Sequence, residues 1–338
     1  DLGRIYHDVL EQYVNELNET GHTLKDLSPQ QIAESITRLF QHVVPKYAEE
    51  IRLDPGKSRA AVERGTRELR SAKEGEQFSL GGSALKPIAT EQAFGMSGEN
   101  ALPALALKTP GGNTVELRGK IDRIDTLEHN GKHLAVVFDY KRSLGRTLSL
   151  DEAYHGLSLQ LLAYLLVIRD HGQSLANTKL IPGAAFYLPL LARIGKIDHP
   201  SELEAGGDAV FKPYRPRGVF DFDWIDALHP ESIDGWSSKL QVYRKKDGTL
   251  GQEEKSDAIE SGRLKAMLDH VRAKMAELAD QWIGGDILVR PALHGTWSPC
   301  ATCNYRSVCR IEYATRDINI MEPLKRGEVL EKVGRADG

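Results

Sequence analysis

Gly119-Lys120-Ile121-Asp122-Arg123-Ile124-Asp125, followed by His129-Asn130-Gly131-Lys132 and then Val136-Val137-Phe138-Asp139-Tyr140-Lys141, decides the architecture of this chain. Two apolar runs flank an Asn-Gly pair, the local chemistry of a tight hairpin. In a strand, alternate side chains share a face. Asp139 and Lys141 therefore point one way, Phe138 and Tyr140 the other. Taken alone, Asp-X-Lys is most often a surface ion pair. The hairpin changes that weighting, because it carries a second carboxylate to the same place. Two acidic groups beside one lysine suffice for a hard dication such as Mg²⁺, which keeps several waters and takes further oxygens from a phosphate. That combination suits phosphodiester hydrolysis, where the metal polarises the phosphoryl group and acidifies water. Asp122 and Asp125 compete for the role of second carboxylate.

Outward from the hairpin, the pattern is helix, antiparallel strands, helix, strand: α+β, with a mixed sheet flanked by helices, rather than a repeating βαβ alternation. Residues 1–80 read as a helical layer. Leu2, Ile5, Val9, Leu10, Tyr13, Val14 and Leu17 make one stripe, and Ile32, Ile36, Leu39, Phe40 and Val43 make another after the Ser28-Pro29 start signal. Residues 57–73 form a charged helical stretch with Arg59, Arg64, Arg67 and Arg70. Strands are expected at 88–94, 102–108, 114–126, 134–141 and 184–190, with a helix over 151–171. The core thus spans 81–190. Residues 191–255 read as an irregular insertion, 256–315 as a long helix (257–282) plus a cysteine cluster, and 316–338 as a charged tail.

Gln160 and Tyr164 lie one turn apart in a helix otherwise rich in leucine, and an amide in such surroundings needs a partner. His7 alone is an ordinary residue of an amphipathic helix. In order along the chain, however, the segments 3–10 (Gly-Arg-Ile-Tyr-His-Asp-Val-Leu), 119–125, Asp139-Tyr140-Lys141 and Gln160-Leu161-Leu162-Ala163-Tyr164 form a series. The series resembles the RecB-like branch of the PD-(D/E)XK nucleases. The resemblance implies metal-dependent DNA cleavage, with His7, Asp122, Asp139 and the backbone carbonyl of Tyr140 around Mg²⁺ or Mn²⁺. It makes Lys141 the catalytic lysine, adds Gln160 and Tyr164 to the catalytic set, and prefers Asp122 to Asp125. Asp139 stands where other members carry Glu.

Cys300, Cys303 and Cys309 are the chain's three cysteines, in a C-x2-C-x5-C pattern. They are too few for a disulfide scaffold and close enough to wrap one inorganic centre, in a reducing compartment. The segment resembles the carboxy-terminal iron–sulfur staple of AddB-type nuclease domains, as do 215–220, 256–258 and 285–286. That implies a [4Fe–4S] cluster whose fourth cysteine lies upstream of Asp1. A Cys₃His zinc site using His294 is the rival reading. The opening at Asp1 rather than Met points to a fragment or a processed product.

The 338 residues are 41% hydrophobic and 27% charged with a net charge of −4, without the overall basic surplus of many nucleic-acid binders. No run of eighteen apolar residues and no signal peptide is present, which points to a cytoplasmic protein without membrane contact. Local basic groups, with Arg64, Arg67, Arg70, Arg215 and Arg217 foremost, are the candidate DNA contacts. No G-x-x-x-x-G-K-[ST] occurs, so the reading is a nuclease module acting on single-stranded DNA ends. An AddA-type helicase–nuclease partner, or a motor region outside this sequence, would deliver those ends. An inactive DNA-binding nuclease fold and a zinc-binding scaffold are the alternatives.

Overall fold

The structure is a computed structural model that describes residues 2–51, 54–143, 147–192, 208–311 and 317–336. Its first layer is helical: α1 (Leu2–Thr20), α2 (Pro29–Ile51) and α3 (Pro55–Leu80). Two of the starts are chemically marked. Ser28 accepts from the Gln31 N–H while the Gln31 side chain accepts from the Ser28 N–H, a reciprocal cap on α2. Asp54 caps α3, and Pro55 occupies the first helical position.

The chain then enters β1 (Lys86–Phe94), the small hairpin β2 (Leu105–Lys108) and β3 (Thr114–Leu117), and the long hairpin β4 (Gly119–His129) and β5 (Lys132–Lys141). Asn130 and Gly131 both have positive φ, at 51° and 71°, as a two-residue hairpin turn demands. The single strand expected at 114–126 is two strands, β3 pairing with β2 and β4 with β1 and β5.

The helix expected at 151–171 is likewise two: α4 (Leu150–Tyr154) and α5 (Gln160–His171). Gly156, at φ +84°, marks the break. A glycine in left-handed backbone ends a helix by closing its last carbonyls, and here it sets Gln160 at the start of α5. The crossover returns the chain as β6 (Leu180–Pro189), parallel to β5.

Beyond β6 the structure departs from the expected insertion. β7 (Arg217–Asp221) pairs antiparallel with β6, and β11 (Ala258–Ile259) pairs parallel with β7. The central sheet therefore runs β1-β4-β5-β6-β7-β11. Gly218 permits the β6–β7 approach, since a Cβ there would lie 2.1 Å from the Ala185 carbonyl oxygen. Between β7 and β11, β8 (Gly235–Trp236), β9 (Tyr243–Arg244) and β10 (Leu250–Gly251) form a small antiparallel sheet. Residues 193–207 of the expected insertion lie outside the described residues. β7 was hidden because so short a strand, close behind two prolines, gives little alternation to read.

The long helix starts at Ser261, not 257, because 258–259 are committed to the sheet edge; it is α6 (Ser261–Ile283). The charged tail also has structure. β12 (Ala292–His294) pairs parallel with β13 (Asn319–Met321), and α7 (Arg326–Ala336) buries Val329, Leu330 and Val333.

The sheet separates two apolar clusters. Phe138 and Tyr140 of β5 join α1, α2 and α3 on one side; Ala135 and Val137 join α5, α6 and α7 on the other. This sandwich of helices about a mixed sheet fulfils the expected α+β class. Among the described residues, no helix is long and apolar enough to cross a membrane.

Candidate active site

The alternation along β5 aims Asp139 and Lys141 away from the face that Phe138 and Tyr140 bury, toward the start of α5. Asp139 is buried, at 2% exposure. The Lys141 ammonium lies 2.5 Å from Asp139 Oδ2 and donates to Gln160 Oε1 at 3.1 Å. Gln160 Nε2 donates in turn to Asp139 Oδ1 at 2.8 Å and to the Tyr164 hydroxyl at 2.9 Å. The amide is thus fully engaged, and it clamps both ends of the Asp–Lys pair. Lys141 also sits over the Tyr187 ring, 5.2 Å from its centroid, a cation–π contact that helps fix its position.

Asp122 reaches this group from β4. Its Oδ2 accepts the Tyr140 N–H at 2.7 Å. Its Oδ1 is 3.7 Å from His7 Nδ1 on α1. His7 Nδ1 is also 3.3 Å from Glu91 Oε1, and Lys120 Nζ lies 3.2 Å from Glu91 Oε2. His7, Glu91 and Asp122 each offer a ligand atom within 4.8 Å of the others. Glu91 has left-handed backbone, φ +44°, inside β1. That conformation is sparse for a residue with a Cβ and concentrates at functional sites. The sequence reading did not include Glu91; a lone acid in a strand gives no signal, and only the β1–β4 pairing sets it beside Asp122.

The electrostatics show a site with too much negative charge. Burial, and then the Asp139 charge, push the Asp122 carboxyl up to about 6, with His7 opposing. Asp139 is raised by burial against the pull of Lys141. The hydrogen bond with Glu91 raises His7, and the same bond lowers Glu91. Burial raises Tyr164 to about 12, so it stays a neutral hydroxyl. Asp139 Oδ2 is buried and receives no well-directed hydrogen bond, despite the nearby ammonium. Carboxylate oxygens plus one imidazole, with a buried oxygen left over, fit a divalent cation of the Mg²⁺ or Mn²⁺ type.

Asp125 is elsewhere. It is fully buried and takes two hydrogen bonds from Arg123, at 2.6 and 2.5 Å. Arg123 bonds on to Glu76, and Glu76 to Lys73. The four form a closed charge network beneath the helical layer.

The other candidates scatter. On α3, Arg64 pairs with Glu68 and Arg70 with Glu74, while Arg67 is exposed. Glu68 also accepts from Tyr6, the residue before His7, so this part of α3 adjoins the site's helix. Arg215 donates to Gln241 and Arg217 is held by Asp257 at 2.8 Å; both are engaged inside the fold.

Cys300, Cys303 and Cys309 are free thiols, and among the described residues they do not gather into a ligand set. His294, the fourth ligand of the Cys₃His alternative, has its Nε2 2.6 Å from Asp151 Oδ2. Three thiols do not by themselves complete a four-iron cluster, which takes four thiolates.

The arrangement has clear counterparts. Residues 1–310 match the family described as the PD-(D/E)XK nuclease superfamily. One relative is a subunit of the ATP-dependent helicase/deoxyribonuclease of Symbiobacterium thermophilum. It is 28% identical over 343 residues, covering 100% of this chain and 29% of that protein. The corresponding helicase/deoxyribonuclease subunit of Bacillus subtilis is 26% identical over 327 residues, covering 96% of this chain and 28% of that protein. The chain therefore spans less than a third of the length of these curated relatives. With its site at the end of a mixed sheet and a family match across most of its length, the chain belongs to the PD-(D/E)XK nuclease superfamily.

Proposed function

We propose that this chain is the nuclease module of a helicase–deoxyribonuclease of the AddB kind, hydrolysing DNA phosphodiesters with Mg²⁺ or Mn²⁺ and acting on single-stranded ends. The observation that carries this is the Asp139–Lys141–Gln160 clamp set beside the His7–Glu91–Asp122 group. His7, Asp122 and Asp139 would hold the metal, with the Tyr140 carbonyl and Glu91 as further oxygen donors. Bound there, the dication would supply Lewis acidity toward the phosphoryl oxygen and the attacking water.

The protein's own residues do the rest. Asp139 and Gln160 fix the Lys141 ammonium, so that it faces solvent as a preorganised positive charge and proton donor. The Tyr140 N–H and His7 hold the Asp122 carboxylate in one orientation. Tyr164, kept neutral, locks the Gln160 amide so that its oxygen faces lysine and its nitrogen faces Asp139. Arg64, Arg67 and Arg70 on α3 are the proposed phosphate contacts, a non-specific and salt-sensitive grip. Arg215 and Arg217 hold a lesser claim, given their internal partners.

An AddA-type partner, or a motor region of the same polypeptide, would feed the strand to this site in the cytoplasm, where the free thiols stay reduced. The cysteine segment would hold a [4Fe–4S] cluster only with a fourth thiolate from outside these residues. Stoichiometric iron and sulfide, bleached by Cys303→Ala, would support that part; their absence from a longer, anaerobically prepared chain would remove it. The activity itself is tested by digestion of end-labelled single-stranded and duplex DNA with Mg²⁺, Mn²⁺ or chelator. Metal-dependent shortening of single strands, lost in Lys141→Ala, is the expected result. Equal digestion by folded Lys141→Ala would overturn the reading.

A further inference from the structure

A second group of metal-ligating side chains lies away from the nuclease site. Asp151 lies in the first turn of α4 and His155 caps its C-terminal end, four residues on and on the same face. His294 comes from β12, more than a hundred residues later. The three offer ligand atoms that all lie within 4.8 Å of one another. His294 Nε2 is 2.6 Å from Asp151 Oδ2, and His155 Nε2 is 3.4 Å from Asp151 Oδ1. One carboxylate thus faces two imidazoles, one through each oxygen.

Hydrogen bonding does not account for the whole arrangement. Asp151 is 8% exposed, and its Oδ1 is buried without a hydrogen-bond partner. An ionised oxygen left so in the interior costs free energy unless a cation meets it. The surroundings are built rather than loose. Tyr154 stacks on His270 at 4.5 Å between centroids, and His270 reaches the Tyr154 carbonyl at 2.9 Å, which fixes the end of α4. His155 Nε2 also lies 3.1 Å from the Glu322 carbonyl oxygen, a contact that a metal on this nitrogen would replace. His155 lines an open cleft of about 580 Å³, through which water reaches its edge.

We propose that Asp151, His155 and His294 form a second metal site for a zinc-type dication, with a solvent molecule as fourth ligand. Two imidazoles and one carboxylate suit zinc better than the oxygen-seeking Mg²⁺, and they leave one tetrahedral position open. The site ties α4, which leads into the Gln160 helix, to the strand that precedes the cysteine segment. It is chemically separate from the nuclease site and independent of the function proposed above.

The test is a titration of the metal-free 338-residue chain with Co²⁺ and then Zn²⁺. Absorbance reports tetrahedral cobalt, and calorimetry gives affinity and stoichiometry. One tight equivalent is expected, with a rise in melting temperature on zinc binding. Asp122→Asn, or Ser at all three cysteines, should leave that equivalent in place. His294→Ala should weaken it by more than the roughly 10–100-fold that losing an outer-shell partner costs. The less buried His155→Gln should do the same if His294→Ala does not fold. Unchanged binding in folded His155→Gln and His294→Ala proteins would overturn the proposal. So would an equivalent that disappears only with the cysteines or with Asp122, or no tight equivalent at all.

Discussion

Asp122 and Asp125 lie three residues apart on one strand, and burial raises both carboxyls, but only Asp125 is hydrogen-bonded to a guanidinium. Asp125 sits in a network whose charges balance: Lys73 and Arg123 against Glu76 and Asp125, all buried and hydrogen-bonded to one another. Those two cations hold Glu76 down to about 2 in spite of complete burial. Asp122 instead faces Asp139 and Glu91, and it is driven up to about 6. A balanced network is structure, since its members satisfy each other. An unbalanced one needs something from outside, and a dication or a phosphate-bound metal is what carboxylates lack. Residue type alone does not separate the two; the sign of what surrounds each acid does.

The largest expected effect tests the unbalanced side. Lys141→Ala and Asp122→Asn should each lower metal-dependent cleavage by roughly two to four orders of magnitude, read from turnover on labelled single strands. Asp122→Asn should leave the metal-free fold at least as stable as before, because it removes a like charge next to Asp139. If Asp125→Asn cripples turnover per folded molecule while Asp122→Asn is benign, the assignment of the two carboxylates is reversed.

Asp125→Asn should show its effect in stability instead. Breaking one partner of a buried, paired network typically costs about 3–5 kcal/mol, measurable as a lower urea midpoint. An unchanged midpoint would break the contrast between the two acids.

Acid should act on Asp122 and Glu76 with opposite sign. Asp122 is raised above its ordinary 3.8, so its folded form binds the proton more tightly. In chelator, its contribution therefore stabilises the fold as pH falls through about 6 toward 4. Glu76 is lowered from 4.5 to about 2, so its contribution is present above about 4.5 and is lost as pH falls toward 2. The metal concentration that cleavage requires should rise below about pH 6, where a proton competes with the dication for Asp122. Melting curves of wild-type and Asp122→Asn protein across roughly pH 4–8 check the first sign, since the variant should lose that gain.

The smallest effect belongs to the arginines. Arg67→Ala should weaken single-stranded DNA binding evenly across sequences and reduce the salt slope by about 0.7 per lost phosphate contact. Arg217→Ala should show in the melting temperature before it shows in binding, because Arg217 is held by Asp257.

Much of this was legible in the sequence. The Asn-Gly turn, the apolar alternation of β5 and the three-and-four stripes of α1 and α2 depend on residues within a few positions of each other. Local sterics and periodicity therefore reveal them. Asp139, Lys141, Gln160 and Tyr164 stood out as candidates by type and spacing, and His7 only through the resemblance of the ordered series. Tertiary structure decided the rest. It alone brings Glu91 to Asp122, gives Arg123 and Asp125 their buried partners, and turns His294 from the cysteines to Asp151. It also draws β7 from a stretch read as irregular, and β11 from the start of an expected helix, into the sheet edge. Those outcomes depend on which distant strands pair and which helix covers them. A carboxylate carries no mark of whether its future neighbour will be a guanidinium or another carboxylate.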